Sequence, residues 1–251
     1  MNVVLRWLCD HPGIIHGDLS SSNIMYRIIG NQVHGVLTDF DVSSWMVALA
    51  TNPNEISQEV AGTAIHMAQE LLRDKRTDRL YRHDLESLFY IMLLLCGRWG
   101  IQVKTGSEDT QNVVTEERDP PYQTWYKADE NWNTLGCVKF SFICGMGRVE
   151  VSPSFEVFRP WLRHLQALLR RGFMRKRDHE SWESWQTMEE WMVELLPDEC
   201  KGEPAPYDDE TLGGCIDHSI FIESTRHLTG ELEGLAVRYD PSPYKPGQIP
   251  P

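Results

Sequence analysis

Three polar residues flank a short β-hairpin that is predicted near the start of the sequence. Residues Asn23 to Ile29 alternate apolar and polar side chains as a strand does, Gly30-Asn31 is typical of a turn, and Val33 to Leu37 reads as the return strand. Asp18 precedes this hairpin and Asp39 follows it. Asp18, Asn23 and Asp39 are therefore expected on loops that the strands hold in place.

The order of these three residues is the one that phosphoryl transfer from ATP uses. Asp18 supplies a carboxylate that can accept the proton of a substrate hydroxyl. Asn23 offers an amide oxygen and Asp39 a second carboxylate, and Mg²⁺ prefers such hard oxygen ligands. The pattern predicts Asp18 as the catalytic residue, with Asn23 and Asp39 as ligands of Mg²⁺ and of the ATP that it accompanies.

Most of the remaining sequence predicts helices. Val3–Cys9 has one apolar side, and Thr63–Leu72 ends in a short helix. Asp84–Cys96 is apolar nearly all round, which is typical of a helix inside a core. From Phe155 to Leu169 apolar residues recur at helical spacing, and Gly172 is expected to end that helix. The predicted fold is mainly α with a small β-hairpin.

Two segments are predicted to be irregular. Lys104–Arg118 is polar and is expected to form a loop. Residues 197–251 contain many prolines and an excess of acidic side chains, so we expect a partly disordered tail with a packed segment around Ile216–Ile222. Residues 1–196 are expected to form one globular unit that precedes this tail.

Charge and hydropathy exclude several functional classes. The formal net charge of −13 argues against nucleic acid or an anionic membrane as a partner. The longest apolar run, Leu88–Cys96, is too short to cross a bilayer, and no signal peptide is recognised. The cysteines lack metal-ligand spacing and are interpreted as reduced thiols of an intracellular protein, cytoplasmic or nuclear.

Four segments resemble the protein kinases. His16–Asn23 resembles the catalytic loop H-R-D-x-x-x-x-N, and Thr38–Asp41 resembles the D-F-G magnesium motif. Gly62–Leu72 resembles the end of an activation segment, with Ala68-Gln69-Glu70 in the place of A-P-E. Arg82–Tyr90 resembles the start of the central helix of the large lobe, and its H-D-L-E-S stretch is similar to the fungal-type protein kinase family. The resemblance implies a kinase-like C-terminal lobe of the α+β class.

The resemblance also implies roles for supporting residues. His16 would brace the catalytic loop, and Asp84 would receive backbone amides of that loop. Gly62 and Thr63 would shape the platform for the substrate hydroxyl. Glu70 would pair with an arginine from later in the sequence, for which the candidates are Arg170, Arg171, Arg175 and Arg177. The implied cofactors are ATP and Mg²⁺, and the implied partner is a protein substrate.

The sequence departs from the kinase pattern at several positions. Gly17 replaces the arginine that grips a phosphorylated activation loop, and Ser20 stands where many kinases carry a phosphate-contacting lysine. Asp41 replaces the D-F-G glycine. No G-x-G-x-x-G or V-A-I-K motif occurs, and only 13 residues precede Ile14. We therefore expect residues 1–196 to be the large lobe, truncated at its N-terminus and without the nucleotide-covering N-lobe.

Three functions stay open at this point. The first is transfer of the ATP γ-phosphate to a serine or threonine of a protein. The second is a small-molecule phosphotransferase of the aminoglycoside or choline type, which the H-G-D-L wording at His16–Leu19 also fits. The third is a catalytically inactive kinase-like binding or scaffold module, which the missing ATP-gripping lysine favours. The Gly62–Leu72 platform favours the protein kinase over the small-molecule enzyme.

Overall fold

The computed structural model describes residues 2–10, 13–30, 32–41, 43–45, 63–74, 76–105, 110–116, 121–127, 131–195, 197, 202 and 204–225. Its helices are α1 (Asn2–Asp10), α2 (Gln69–Arg73), α3 (Tyr81–Arg98), α4 (Gln123–Lys127), α5 (Trp132–Cys144), α6 (Arg159–Gln186), α7 (Glu190–Glu194) and α8 (His218–Thr225). A 3-10 turn, Pro153–Phe158, leads into α6. The strands are β1 (Ile14–Ile15), β2 (Ile24–Ile29), β3 (Gln32–Leu37), β4 (Ser44–Trp45), β5 (Trp99–Thr105) and β6 (Thr110–Glu116).

The strands form three separate antiparallel pairs, β1 with β4, β2 with β3 and β5 with β6. In the β2–β3 hairpin Ile24 lies opposite Leu37 and Ile29 opposite Gln32. This register places the loop before Ile24 beside the loop after Leu37, so one end of the hairpin gathers the polar residues that flank it. The prediction of a mainly α fold with a small hairpin is confirmed.

Helix α3 lies at the centre of the core. Leu85, Phe89 and Leu93 are fully buried, as expected for a helix that is apolar nearly all round. The first turn of α3 also buries charged side chains, and a buried charge requires partners. Helices α1, α6 and the 3-10 turn pack against α3. Within the described ranges, no helix combines the length and apolar character that a membrane crossing requires.

Two local predictions are wrong. The stretch Lys104–Arg118 is not a plain loop, because residues 104–105 and 110–116 belong to the β5–β6 hairpin, which is paired from Trp99 opposite Glu116 to Thr105 opposite Thr110. Backbone pairing accepts polar side chains when the strand also carries β-branched residues such as Val113 and Val114. Gly172 does not end its helix either. It lies inside α6, where a Cβ would stand 2.6 Å from the Cβ of Leu212, so glycine serves close packing here.

Residues 204–225 pack onto the helical core. Leu212 lies against Gly172, and Phe221 contacts Trp161 edge to face at 5.9 Å. The indole of Trp161 donates to the Ser224 hydroxyl at 2.9 Å, which fixes α8 against α6. This part of the predicted tail is therefore part of the folded body. The boundary at residue 196 stays a prediction, and residues 226–251 lie outside the described residues.

Candidate functional site

One buried carboxylate holds the loop between β1 and β2 in place. The amides of His16 and Gly17 donate to the two oxygens of Asp84, at 2.9 Å and 3.0 Å. Asp84 lies in the first turn of α3, whose N-cap residue is Leu80, so Asp84 is not the helix cap. Burial raises the pKa of Asp84 to about 6, although the Gly17 and His16 amides and the Arg79 charge favour the carboxylate. The first helix turn thus fixes the start of the loop.

His16 joins this loop to the one that carries Asp39. Its Nε2 faces the Thr38 carbonyl at 3.0 Å, and its Nδ1 accepts the Asp18 amide at 3.3 Å. A ring nitrogen that faces a carbonyl carries the proton, and one that accepts an N–H does not, so the contacts assign the neutral Nε2–H tautomer. The ring also contacts Phe40 at 4.9 Å between centroids. Both contacts make His16 a brace between the loops.

Asn23 is fixed at both its side chain and its backbone. Its Nδ2 donates to the Asp18 carbonyl at 2.9 Å, and its own carbonyl accepts from the Thr38 amide at 3.0 Å. The two ends of an amide point apart, so the Asn23 Oδ1 is turned away from the Asp18 carbonyl. The hydroxyl of Ser20 bonds to Ser22 at 2.8 Å and accepts the Asn23 amide at 3.3 Å, so it serves the turn before the hairpin.

Asp39 has an unusual backbone conformation. Its φ is 66°, in the left-handed region that costs a side-chain-bearing residue about 1–2 kcal/mol. Aspartate tolerates this region better than most residues, and such outliers concentrate at functional sites. The Asp39 side chain is exposed. The preceding residue, Thr38, donates its amide to the Asn23 carbonyl. The hairpin therefore presents the Asp39 carboxylate at the same end as Asn23.

Asn23 and Asp39 carry oxygen donors of the kind that Mg²⁺ binds. Within the part of the chain that the structure describes, no group of three or more His, Cys, Asp or Glu side chains could hold a metal ion. Asn23 and Asp39 offer one amide oxygen and one carboxylate. Mg²⁺ is commonly held by one or two carboxylates, with phosphate and water oxygens filling its octahedral sites. The donor set therefore fits an ion that arrives with a nucleotide.

Asp18 is joined to the segment that follows residue 62. The Thr63 amide donates to Asp18 Oδ1 at 2.9 Å, across 45 positions of sequence. Thr63 is exposed and Asp18 half-buried, so both can meet a substrate. Gly62, which was predicted to share the platform role, lies outside the described residues. The structure thus brings together His16, Asp18, Asn23, Thr63 and Asp84, and it places Asp39 at the end of the same hairpin.

A buried lysine supports the segment after Thr63. The ammonium of Lys139 on α5 donates to the carbonyls of Ala64 at 3.1 Å and Met67 at 2.7 Å, and it lies 4.2 Å from the centroid of the Tyr90 ring. Lys139 is fully buried. The reasoning from sequence missed this residue, although Lys139 lies between Leu135 and Ile143 on one apolar helix face, a position that indicates burial. Lys139 fixes the backbone of the predicted platform.

Glu70 pairs with residues that the sequence analysis did not choose. Its carboxylate meets Arg82 at 2.5 Å and Lys176 at 2.9 Å, so the prediction of Arg170, Arg171, Arg175 or Arg177 is wrong. Arg82 lies at the start of α3, close to Glu70 in sequence, whereas the predicted candidates all lie much later in the sequence. Burial alone would raise the pKa of Glu70, but the His83 hydrogen bond and the charges of Arg82 and Lys176 hold it well below its usual range.

The same charges reach the C-terminal segment. Arg82 Nε donates to the Asp209 carbonyl at 2.5 Å, and its Nη2 lies 3.1 Å from the Asp209 carboxylate. Lys176 bridges Asp209 and Glu70 at 2.9 Å each. The Tyr207 hydroxyl donates to Asp209 at 2.8 Å. We call Glu70, Arg82, Lys176 and Asp209 the charged junction. Asp209 was not predicted from the sequence, because it lies 127 positions from Arg82.

Comparison with known proteins finds a family match in the first part of the chain. The fungal protein kinase family matches residues 4–96, which include the loop, the hairpin, the Thr63 segment and most of α3. The predicted resemblance to this family is confirmed for those residues. The chain matches no curated protein and no solved structure.

Proposed function

Residues 4–96 match the fungal protein kinase family, and on that premise we propose that the chain transfers the γ-phosphate of ATP to a serine or threonine hydroxyl of a protein. The observation that carries the proposal is the 2.9 Å hydrogen bond from the Thr63 amide to Asp18 Oδ1. It joins the proposed proton acceptor to the segment that would present the substrate. In this proposal residues 1–196 are a kinase-like large lobe.

Asp18 is the proposed general base. The Thr63 amide engages Oδ1, and the other carboxylate oxygen is the atom that would accept the proton of the substrate hydroxyl. Asn23 and Asp84 hold the backbone on both sides of Asp18, through the Asp18 carbonyl and the Gly17 amide. A base that is held in place needs little reorganisation when the substrate binds.

Asn23 and Asp39 are the proposed ligands of Mg²⁺. The amide oxygen of Asn23 and the carboxylate of Asp39 are hard donors at one end of the hairpin. The ion, when bound with ATP, supplies positive charge that offsets the phosphate oxygens. The protein contributes the Asn23 side chain, which the Asp18 carbonyl orients, and the carboxylate of Asp39, whose backbone is left-handed.

The platform after Thr63 favours a protein over a small-molecule substrate. Lys139 binds two carbonyls of residues 64–67, and the Gln69 amide donates to buried Glu86 at 2.9 Å. Buried charged side chains therefore hold a peptide-sized stretch of backbone in place, which the binding of a small-molecule acceptor does not need. The scaffold module is the second candidate, since the sequence contains no G-x-G-x-x-G loop and no V-A-I-K lysine.

The experiment combines calorimetry with Mg–ADP and phosphate transfer from labelled ATP to a protein mixture. The purified full chain is compared with Asp18→Asn, with Asp39→Asn and with Asp178→Asn, the control at an exposed aspartate of α6. We expect Asp18→Asn to retain nucleotide binding and lose about 100- to 10,000-fold in transfer rate. Asp39→Asn is expected to weaken binding, and Asp178→Asn to leave both unchanged.

Three outcomes would overturn the proposal. If the wild-type chain binds no Mg–ADP at millimolar concentration, the scaffold function replaces the enzyme. If Asp18→Asn transfers phosphate at the wild-type rate, Asp18 is not the base and the assigned site is wrong. Transfer to an aminoglycoside or choline but to no protein would support the small-molecule enzyme.

A further inference from the structure

Arg79 is a buried cation beside the candidate site. It lies two residues before α3, is 6% exposed, and its Nη1 donates to the Gly17 carbonyl at 2.6 Å. The two residues are 62 positions apart. Hydrogen bonds from a charged donor to a buried carbonyl are stronger than those between neutral groups. A guanidinium from outside the loop therefore fixes the peptide group that leads directly into Asp18.

The contact is matched by a second one on the same residue. Gly17 has φ 76°, the left-handed region that glycine adopts without strain, and its amide donates to Asp84 Oδ1 at 3.0 Å. Its carbonyl accepts from Arg79. Both polar groups of Gly17 are thus bound to opposite charges from the start of α3. A rotation of the Gly17–Asp18 peptide would break the Arg79 contact and move the Asp18 carboxylate.

The charge of Arg79 also acts on Asp18. Burial lowers the pKa of Arg79, and the negative charges of Asp84 and Asp18 act in the opposite direction. A guanidinium keeps its proton in proteins, so Arg79 stays charged and is attracted by both carboxylates. Its buried setting screens this attraction less than water would. The attraction favours the position in which the guanidinium binds the Gly17 carbonyl.

We propose that Arg79 is a positioning residue for Asp18, because it orients the Gly17–Asp18 peptide through its hydrogen bond to the Gly17 carbonyl. The role rests on the proposed function, because Asp18 is the base of that reaction. It also makes a structural claim that holds without any reaction, namely that the order of the loop at 16–18 depends on a guanidinium at position 79.

The test compares Arg79→Ala and Arg79→Lys with Arg76→Ala, the matched control at an exposed arginine of the same segment. Amide hydrogen exchange at Gly17 and Asp18 is measured on the full chain, with and without about 10 mM guanidinium and with sodium chloride of equal ionic strength. We expect Arg79→Ala to speed exchange of these amides about 10- to 100-fold, corresponding to the loss of one charge-assisted hydrogen bond. Guanidinium, but not sodium chloride, should restore protection.

The experiment has a second arm, phosphate transfer, which measures the effect of the Arg79 variants on the reaction at Asp18. We expect Arg79→Ala to lower kcat by about 10- to 100-fold while the Kd for Mg–ADP changes less than about twofold, because the Arg79 hydrogen bond is made to Gly17, next to the proposed base, and not to a proposed ligand of Mg²⁺. Arg79→Lys should fall between, since an ammonium keeps the charge but not the planar donor set. Added guanidinium should recover part of kcat in Arg79→Ala.

The two arms separate the outcomes. Unchanged exchange in Arg79→Ala, or exchange that rises through the whole core and is not rescued, overturns the positioning role. If the wild-type chain transfers no phosphate, the proposed function fails, and the exchange arm still decides whether Arg79 orders the loop. A loss of kcat with unchanged loop exchange would also overturn the role, because the effect would not act through the Gly17–Asp18 peptide.

Discussion

The first turn of α3, together with Arg79 just before it, contacts two regions in different ways. On one side Asp84 binds the amides of His16 and Gly17, and Arg79 binds the Gly17 carbonyl. On the other side Arg82 and His83 bind Glu70, and Arg82 continues to Asp209. The first set of contacts joins charges to backbone groups. The second joins charged side chains to one another in the charged junction.

This difference separates presentation from stability. At the site, the supporting charges are buried, while Asp39 is exposed and Asp18 half-buried. At the junction, Glu70 and Arg82 are both sheltered, with side chains 13% and 1% exposed, and each has more than one partner. The carboxylates of the site are available to a ligand. The charged side chains of the junction bind one another instead, and they hold α2, α3, α6 and residues 204–216 together. The predictions below change one side at a time.

The largest effect is expected from Arg82→Met. The substitution keeps an unbranched side chain but leaves Glu70 buried without its closest cation and frees Asp209 from α3. Removing one partner of a buried ion pair costs about 3–5 kcal/mol in the free energy of unfolding. Chemical denaturation of the full chain measures it, with Arg171→Met on the exposed face of α6 as the control.

The double variant Arg82→Met with Glu70→Gln sharpens the comparison. Neutralising Glu70 removes the uncompensated charge that the single substitution leaves behind, so we expect the double variant to be more stable than Arg82→Met alone. Equal or lower stability of the double variant would mean that the junction stabilises the fold by packing rather than by charge.

The second prediction concerns pH and the platform. Burial and the charge of Lys139 lower the pKa of His66 from 6.5 to about 4. Between these values the unfolded chain binds a proton that the folded chain does not, so the contribution of His66 to stability is lost as pH falls through this range. His66→Leu is expected to reduce the acid loss of unfolding free energy between pH 6.5 and pH 4 by at most about 3 kcal/mol.

The measurement is a set of denaturation curves across that range for wild type, His66→Leu and His164→Leu, which changes an exposed histidine of α6. Asp84 acts with the opposite sign, since its pKa is raised to about 6 and protonation favours the folded form. The difference between variant and wild type removes that contribution. A pH profile of His66→Leu parallel to wild type would show that His66 titrates normally in the fold.

The site was more accessible to sequence reasoning than its supports. Asp18, Asn23 and Asp39 are close in sequence and joined by a short hairpin, so local patterns place them at one end. Arg79 reaches back 62 positions and Lys139 reaches back 72 to Met67, and no local period predicts such contacts. Both side chains bind backbone carbonyls, and a backbone carbonyl carries no signal in the sequence that would identify it as the partner.

The fold shows the same limit. Helix α3 was predictable because its apolar character extends all round, and its observed bounds, Tyr81–Arg98, exceed the predicted Asp84–Cys96 by a turn at the polar start and by Gly97 and Arg98 at the end. The extent of α6 was not, because Gly172 has the sequence signal of a helix end and its real reason, the approach of Leu212, lies 40 positions later. Asp209 was hidden for the same reason, within a segment whose composition is typical of a tail.

The smallest change in stability is expected from Asp84→Asn, on the site side of α3. An amide offers one acceptor oxygen, so one of the two loop amides at His16 and Gly17 loses its partner and faces an N–H₂ group instead. Loss of that bond is offset by removal of a buried charge, whose burial already raises the pKa of Asp84 to about 6. We expect the free energy of unfolding to change by less than about 1 kcal/mol, while hydrogen exchange at Gly17 speeds up about tenfold. Denaturation and exchange on the same samples, with exposed Asp78→Asn as the control, check both parts. A large loss of stability with unchanged loop exchange would place Asp84 with the charged junction and remove the distinction between the two sides of the turn.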